Sequence, residues 1–519
     1  MTPELADLIE RRRISAFVLY DIRNIAGAGQ LRRLAGSIGR KCLSELGVPP
    51  LLAIDNEGGV NSQLRSAGTV FPGNLALAAG RDPRQAGIAG AAIAREIRAA
   101  GLNMNLAPVL DLYDGRNPGI GVRSFGSDPR MVTRFALPYL RAHLGAGVLA
   151  VAKHFPGNSV TDTDPHWGLA SVTRSAGELS RLDLAPYRAL IRAGLPAVLT
   201  SHAVYPALDR ALPATLSPAI LIRLLRERMG FGGVVISDDV EMAAIEARFG
   251  LEGAVERAVR AGVDLVMVCH TYEKMRRAAA HLARTAARDS GFEERMRESA
   301  ARVDRLRRLA LPAGKGVLRS SASRKIAADR ARAAVTIVRD RDGLLPLKLA
   351  AGTRLGVINP LHTMYGWNQE VRLDAAFRRF HGPTRGVLFD PRAPGESANR
   401  CLALAKDSDV VVVGTYDAVF SRPQGALIQK LAKASWPRAM RGASRAQRDV
   451  ALGRQGQRSW PRRPLVLLAT RSPRDAAAFP VIGASVACYN FYDVSIRAAA
   501  EVMVGRAPAA GRSPVSLDD

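Results

Sequence analysis

The strongest constraint in this sequence is the way its short apolar runs end. Seven of them occur in the first 270 residues: ISAFVLY (14–20), PLLAID (50–55), NMNLAPVLD (103–111), GVLAVAKH (147–154), PAVLTSH (196–202), GVVISDD (233–239) and VDLVMVC (263–269). Between them lie stretches with helical spacing, among them 82–100, 128–145, 176–193 and 218–229. Short apolar runs alternating with amphipathic helices predict parallel βαβ units. Seven repeats in under 300 residues predict an α/β fold of the (β/α)8, TIM-like barrel type. The count is one strand short, so the expectation is a barrel lacking its first strand, which would precede Met1. Five of the runs finish on Asp, Lys or His: Asp55, Asp111, Lys153 with His154, His202, and Asp238 with Asp239. Core packing does not ask for charge there. A barrel that works at the carboxyl ends of its strands does.

A long helical segment at 290–309 leads into LPAGKGVLRSSASRK, rich in Pro, Gly and Ser. This stretch marks a domain boundary: a barrel over 1–311, a linker over 312–326, and a smaller α/β sandwich domain over 327–519. The second domain alternates again through AAVTIVRD (333–340), TRLGVINP (353–360), DVVVVGTY (409–416), PLVLLAT (464–470) and ASVACYNF (484–491), read as parallel strands. Residues 433–463 stand apart as a basic insertion with nine basic residues against one acid.

Charge narrows the function classes. Lys and Arg number 74 against 47 Asp and Glu, a net charge of +27. Such a balance often signals nucleic acid. Here Arg and Ala are spread throughout and aromatics are only 5%, so the basic residues lack the interleaved rings of a stacking platform. No nucleic-acid partner is expected. The four cysteines, Cys42, Cys269, Cys401 and Cys488, are far apart and form no metal-binding or disulfide spacing. No metal and no cofactor is expected. MTPELADLIERRR has no apolar core of a signal peptide, and no apolar run reaches the ~18 residues of a membrane span. The expectation is a cytoplasmic protein without membrane contact, with export open if the start codon lies further upstream. Nothing in the sequence sets an oligomeric state.

Several strand ends also carry a resemblance. AIDNEGG (53–59), NLAPVLDLY (105–113), RSFGSDP (123–129), KHFPG (153–157) with DPH (164–166), SHAVYPALD (201–209) and GFGGVVISDDVEMAAI (230–245) together resemble glycoside hydrolase family 3, in its β-N-acetylglucosaminidase branch. The second domain resembles the family's α/β sandwich through DGLLPLK (342–348) and RSPRDAAAFP (471–480). The resemblance implies a retaining exo-enzyme that removes terminal N-acetylglucosamine from a small carbohydrate substrate, a peptidoglycan fragment or a chitin-type oligosaccharide. It implies Asp238 as the nucleophile that forms the glycosyl-enzyme, with Asp239 as the competing candidate. It implies His166 as acid/base, oriented by Asp164. Imidazole suits this role because it titrates near neutral pH, and a carboxylate on its other nitrogen fixes the tautomer. Asp55, Arg123, Lys153 and His154 are implied as sugar contacts, and Met242 as lining the pocket.

Three departures accompany the match. Asn158, Ser159 and Val160 replace the His-Gly-Asp that usually follows KHFPG. Val60 and Gln63 stand where the family carries basic residues, with Arg65 as a substitute for the latter. The run that would supply the first barrel strand is expected upstream of Met1, with a wrongly assigned start as the explanation. Other readings are a β-glucosidase or β-xylosidase whose acid/base would be a second-domain glutamate such as Glu370, a phosphorolytic variant, and a degenerate sugar-binding relative.

Overall fold

The computed structural model describes residues 1–159, 170–314, 316–341, 343–364, 367–434 and 464–517. Asp164 and His166 and nearly all of the 433–463 insertion lie outside the described residues. The chain divides into two units, one of Met1–Ala78 with Asp82–Ala327, the other of Ala79–Arg81 with Ala328–Asp519.

All seven predicted runs of the first unit are strands: β1 (Ala16–Leu19), β2 (Leu51–Ile54), β3 (Met104–Asn105), β4 (Leu149–Phe155), β5 (Ala197–Thr200), β6 (Val234–Asp239) and β7 (Leu265–Met267). They pair in parallel in chain order, β1 through β7. Alternation turns one side chain in two inward. Leu51 and Ala53, Leu149 and Val151, Ala197 and Leu199, and Val234 and Ile236 form the central core. β3 is shorter than the run suggested because Pro108 has no N–H to donate. Main-chain bonds to β4 continue past it, from Lys153 N to Pro108 O at 3.1 Å and from Leu110 N to Lys153 O at 2.8 Å.

Between β1 and β7 no strand pairing is formed among the described residues. A cavity of about 570 Å3 opens there, lined by Phe17, Val18, Leu265, Met267 and Val303 among others. The helix Ser290–Leu309 leans against it and sends Val303 and Leu306 into the central core. Side chains span the seam: Tyr272 donates to Asp7 Oδ2 at 2.7 Å, and Arg23 Nη1 to His270 O at 3.3 Å.

The predicted helix over 176–193 is broken into Ala176–Arg181 and Leu184–Arg192. Asp183, at the break, turns its buried carboxylate to Ser159 and Arg174. The segment 312–326 has its own contacts: Arg319 N donates to Glu96 Oε1 at 3.1 Å, and a helix spans Ser321–Ala334.

The second unit holds β8 (Thr336–Asp340), β9 (Leu355–Met364), β10 (Trp367–Glu370), β11 (Thr384–Phe389), β12 (Val410–Thr415), β13 (Leu465–Ala469) and β14 (Ala484–Ala487). β11, β9, β12, β13 and β14 run parallel, side by side in that order. β8 corrects the reading of an all-parallel set: it pairs antiparallel with β14 at the edge. β10 and β11 were not anticipated, and WNQE of β10, with Gln369 and Glu370 exposed, carries no apolar run. No helix among the described residues is long and apolar enough to cross a membrane.

Two glycines after β2 are required by backbone geometry. Gly58 and Gly59 have φ of +84° and +59°. A Cβ on Gly59 would stand 2.7 Å from Gly73 Cα, and one on Gly58 would stand 2.8 Å from Pro72 O. The Gly59→Ala variant is therefore expected to lose about 2 kcal/mol or more of stability, measured by urea unfolding.

Candidate active site

The carboxyl ends of β2, β4 and β6 bring four of the predicted residues to one rim. Asp55 follows β2, Lys153 and His154 lie within β4, and Asp238 lies within β6. Lys153 is buried, yet its ammonium contacts the carboxylates of both Asp55 and Glu57. Burial alone would push its pKa down. The charges of Asp55 and Glu57 outweigh that and hold it above the ordinary lysine value.

Glu57 is the residue that the sequence reading missed. It is 1% exposed and sits between Arg123 and Lys153. Arg123 grips it as a fork, Nε to Oε2 at 2.9 Å and Nη2 to Oε1 at 2.8 Å. Lys153 Nζ lies 2.7 Å from Oε1, and Asn61 Nδ2 donates to Oε1 at 2.9 Å. Burial raises the pKa of such a carboxyl, but Arg123 and Lys153 overcome it and hold it far below the usual range. Arg123, expected as a sugar contact, thus spends its fork on Glu57.

His154 is held by Asp111, whose Oδ2 is 2.6 Å from Nδ1. Asp111 also accepts from Asn158 N at 2.6 Å. The unusual Asn158–Ser159 pair is part of this support. Ser159 Oγ accepts from Leu112 N and donates to Asp183 Oδ1, both at 2.8 Å, and Tyr205 Oη donates to Gly157 O at 2.9 Å. The first residues after KHFPG are therefore fixed by a buried serine.

At β6, Asp238 is half-buried and Asp239 is 5% exposed. Asp238 Oδ1 accepts from Asp239 N at 2.9 Å. Asp239 turns into the loops, where its Oδ1 accepts from Glu241 N at 3.1 Å and Cys269 N at 3.3 Å. Its Oδ2 lies 3.0 Å from His270 Nε2 without the alignment of a hydrogen bond. His202, fully enclosed, donates from Nε2 to Asp239 O at 2.9 Å, which leaves Nδ1 to face Thr215 Oγ1 at 2.8 Å. Burial lowers the His202 pKa despite the nearby Asp238, so its ring stays neutral. Met242 is half-buried and opens the helix Ala243–Phe249 beyond β6.

Two substitutes considered from sequence go elsewhere. Arg65 pairs with buried Asp21 at 3.1 Å, and Gln63 Oε1 accepts from Asp21 N at 3.1 Å. Glu370 is exposed on β10 and lies 3.4 Å from Arg372. Among the described residues no cluster of His, Cys, Asp and Glu could hold a metal ion.

Beneath the rim, His143 sets the polarity of a buried chain of amides. Its Nδ1 donates to Tyr139 O at 3.0 Å, so Nε2 accepts from Asn105 Nδ2 at 3.0 Å. Asn105 in turn accepts from Asn56 N and donates to Asn56 O, fixing the loop that carries Glu57. Burial pushes the His143 pKa down to about 4, against an unfolded value of about 6.5. The neutral ring contributes stability that is complete above pH ~6.5 and is lost as pH falls toward ~4. The melting temperature is expected to fall across that window, with a shallower slope for His143→Gln.

Glu57 has the same sign at lower pH. Its contribution is full above the unfolded carboxylate value of about 4.3 and drains below it. Glu57→Gln leaves Arg123 and Lys153 short of a counter-charge and is expected to cost about 3–5 kcal/mol, read from chemical denaturation at pH 7.

Residues 2–306 match the model of the glycosyl hydrolase family 3 N-terminal domain. The chain is 28% identical to β-hexosaminidase A of Pseudoalteromonas piscicida, over all of this chain and 92% of that protein. It is 36% identical to the β-hexosaminidase of Stenotrophomonas maltophilia (strain R551-3), over 52% of this chain and 80% of that protein. Among solved structures, a glycoside hydrolase family 3 β-N-acetylglucosaminidase from Paenibacillus sp. str. FPU-7 superposes with a TM-score of 0.87 at 30% identity, covering 99% of this chain and 95% of that one.

Proposed function

This chain belongs to glycosyl hydrolase family 3, and we propose that its barrel is a retaining exo-β-N-acetylglucosaminidase. The observation that carries the reading is the rim itself, where Asp55, Lys153, His154 and Asp238 meet at the carboxyl ends of three strands.

Asp238 is the nucleophile. Strand β6 holds it on a rigid element, and the N–H of Asp239 on its carboxylate favours the ionised form that attacks the anomeric carbon. Asp239 is occupied with the loops after β6 and β7, which supports the choice between the two. The glycosyl-enzyme forms as the leaving oxygen takes a proton from His166, and Asp164 stabilises the imidazolium. His166, then neutral, takes a proton from water as that water attacks the anomeric carbon and frees Asp238. Asp55, Lys153 and His154 hold ring hydroxyls. Charge-assisted hydrogen bonds suit this, because they fix orientation as well as affinity.

Arg123 acts one step back, by holding Glu57 against Lys153. The anchoring of Ser159 supports an intact loop base over a degenerate one, and the exposed Glu370–Arg372 pair gives the β-glucosidase reading no support. The substrate is a small oligosaccharide ending in N-acetylglucosamine, of the peptidoglycan or chitin type, and a cytoplasmic location would place the enzyme in peptidoglycan recycling.

The test is release of p-nitrophenol from the β-N-acetylglucosaminide, with the glucoside as control. Asp238→Asn is expected to lower kcat at least about a thousandfold, and His166→Ala by about 10²–10⁴-fold. Unimpaired turnover in either variant overturns the corresponding role. Added phosphate giving sugar 1-phosphate would replace hydrolysis by phosphorolysis.

A further inference from the structure

The parallel strands of the second unit stand in the order β11, β9, β12, β13, β14, which in chain order is 2-1-3-4-5. The chain first steps from β9 to β11 on one side and then crosses to β12 on the other. Open parallel sheets bind ligands outside the carboxyl ends of the strands at such a reversal. Here the reversal lies between the ends of β9 and β12.

His362 of β9 and Tyr416, next after β12, meet at that point with ring centroids 4.2 Å apart. Phe491, beyond β14, lies 4.7 Å from the imidazole and 5.6 Å from the Tyr416 ring, so the three rings form a triangle, and half-buried Tyr492 packs on Phe491 at 4.6 Å. Arg471, 2% exposed, pairs with Asp417 and lies over the Tyr416 ring at 5.5 Å. Asp417 is a non-glycine residue at φ +48°, a conformation that costs energy and is kept where the surroundings demand it. Asp475 accepts from Ala418 N at 2.8 Å and Val419 N at 3.1 Å. His362 is 8% exposed, and neither of its ring nitrogens has a hydrogen-bond partner among the described residues. A buried imidazole left unsatisfied on both sides calls for a partner that is not part of the described chain.

We propose that the end of the sheet beside His362 is a binding site for a neutral hydroxylated ring, a saccharide, stacked on Phe491 in the place of Tyr492 and hydrogen-bonded through its hydroxyls to His362. The charges select against an anion. Among the described residues of the cluster the cation is Arg471, which is already paired with Asp417, and Asp475 lies close to Asp417. Burial and the Arg471 charge push the His362 pKa down to about 4, so its ring presents one donor and one acceptor. A hydroxyl group answers both. The pyranose face, rich in C–H, answers the rings. Entry is by displacement of Tyr492, the outermost ring.

The experiment is peptide-resolved hydrogen exchange on the full chain with free N-acetylglucosamine, glucose or inorganic phosphate, none of which needs turnover. Sugar is expected to slow exchange in peptides covering 355–362, 410–420 and 484–495, with a half-saturating concentration raised about tenfold or more in His362→Phe. His362→Gln, which keeps a donor and an acceptor, serves if the Phe variant does not fold, and is expected to shift the midpoint less. Protection confined to barrel peptides, protection unchanged by the His362 variants, or no protection overturns the site. Protection by phosphate but not by sugar overturns the ligand class. Loss of p-nitrophenol release with this protection intact would count against the barrel reading alone.

Discussion

The rim of the barrel depends on one buried carboxylate. Glu57 joins the loop after β2, the Arg123 turn and strand β4 through Arg123, Asn61 and Lys153. Two cations in so dry a place would repel each other and suffer desolvation. Glu57 makes the arrangement tolerable and sets where the Lys153 ammonium points. Asp55 then completes the balance from the solvent side. Lys153 is therefore a pre-aimed donor, and its position is inherited from a residue that need not touch any ligand.

A second layer carries the same logic downward with neutral groups. His143, Asn105 and Asn56 form a directional chain in which each donor meets an acceptor. Such chains specify a conformation well, because reversing any member leaves a buried group unmet. Polar order beneath the rim thus comes from matching of hydrogen-bond direction, and at the rim from matching of charge.

Much of the barrel was legible because parallel strands buried on both faces read as continuous apolar runs, and their ends switch abruptly to polar residues. Asp55, Lys153, His154 and Asp238 were visible for that reason. Glu57 was not. Flanked by Asn56 and Gly58, it reads as a polar turn, and its partner Arg123 is 66 positions away with nothing local to link them. Its two following glycines were the available signal, since a left-handed pair pressed against the 72–73 backbone marks a tightly packed loop. The break at Asp183 was invisible for a similar reason: the helical period continues through it, and only the tertiary pull of Ser159 and Arg174 explains it. In the second unit, β8 has the composition of its neighbours, and direction within a sheet is not written in composition.

The unpaired seam between β1 and β7 has a consequence for how the first unit assembles. A closed ring must join its first and last strands, and the chain between these two is some 250 residues long, a span whose closure is the most expensive loop in such a fold. Here, among the described residues, every ladder of the seven-stranded sheet joins strands that are neighbours in the order β1 to β7. The sheet can grow by accretion in sequence order, and among the described residues its two ends are spanned by side chains and by the helix Ser290–Leu309 in place of a zipper of main-chain bonds.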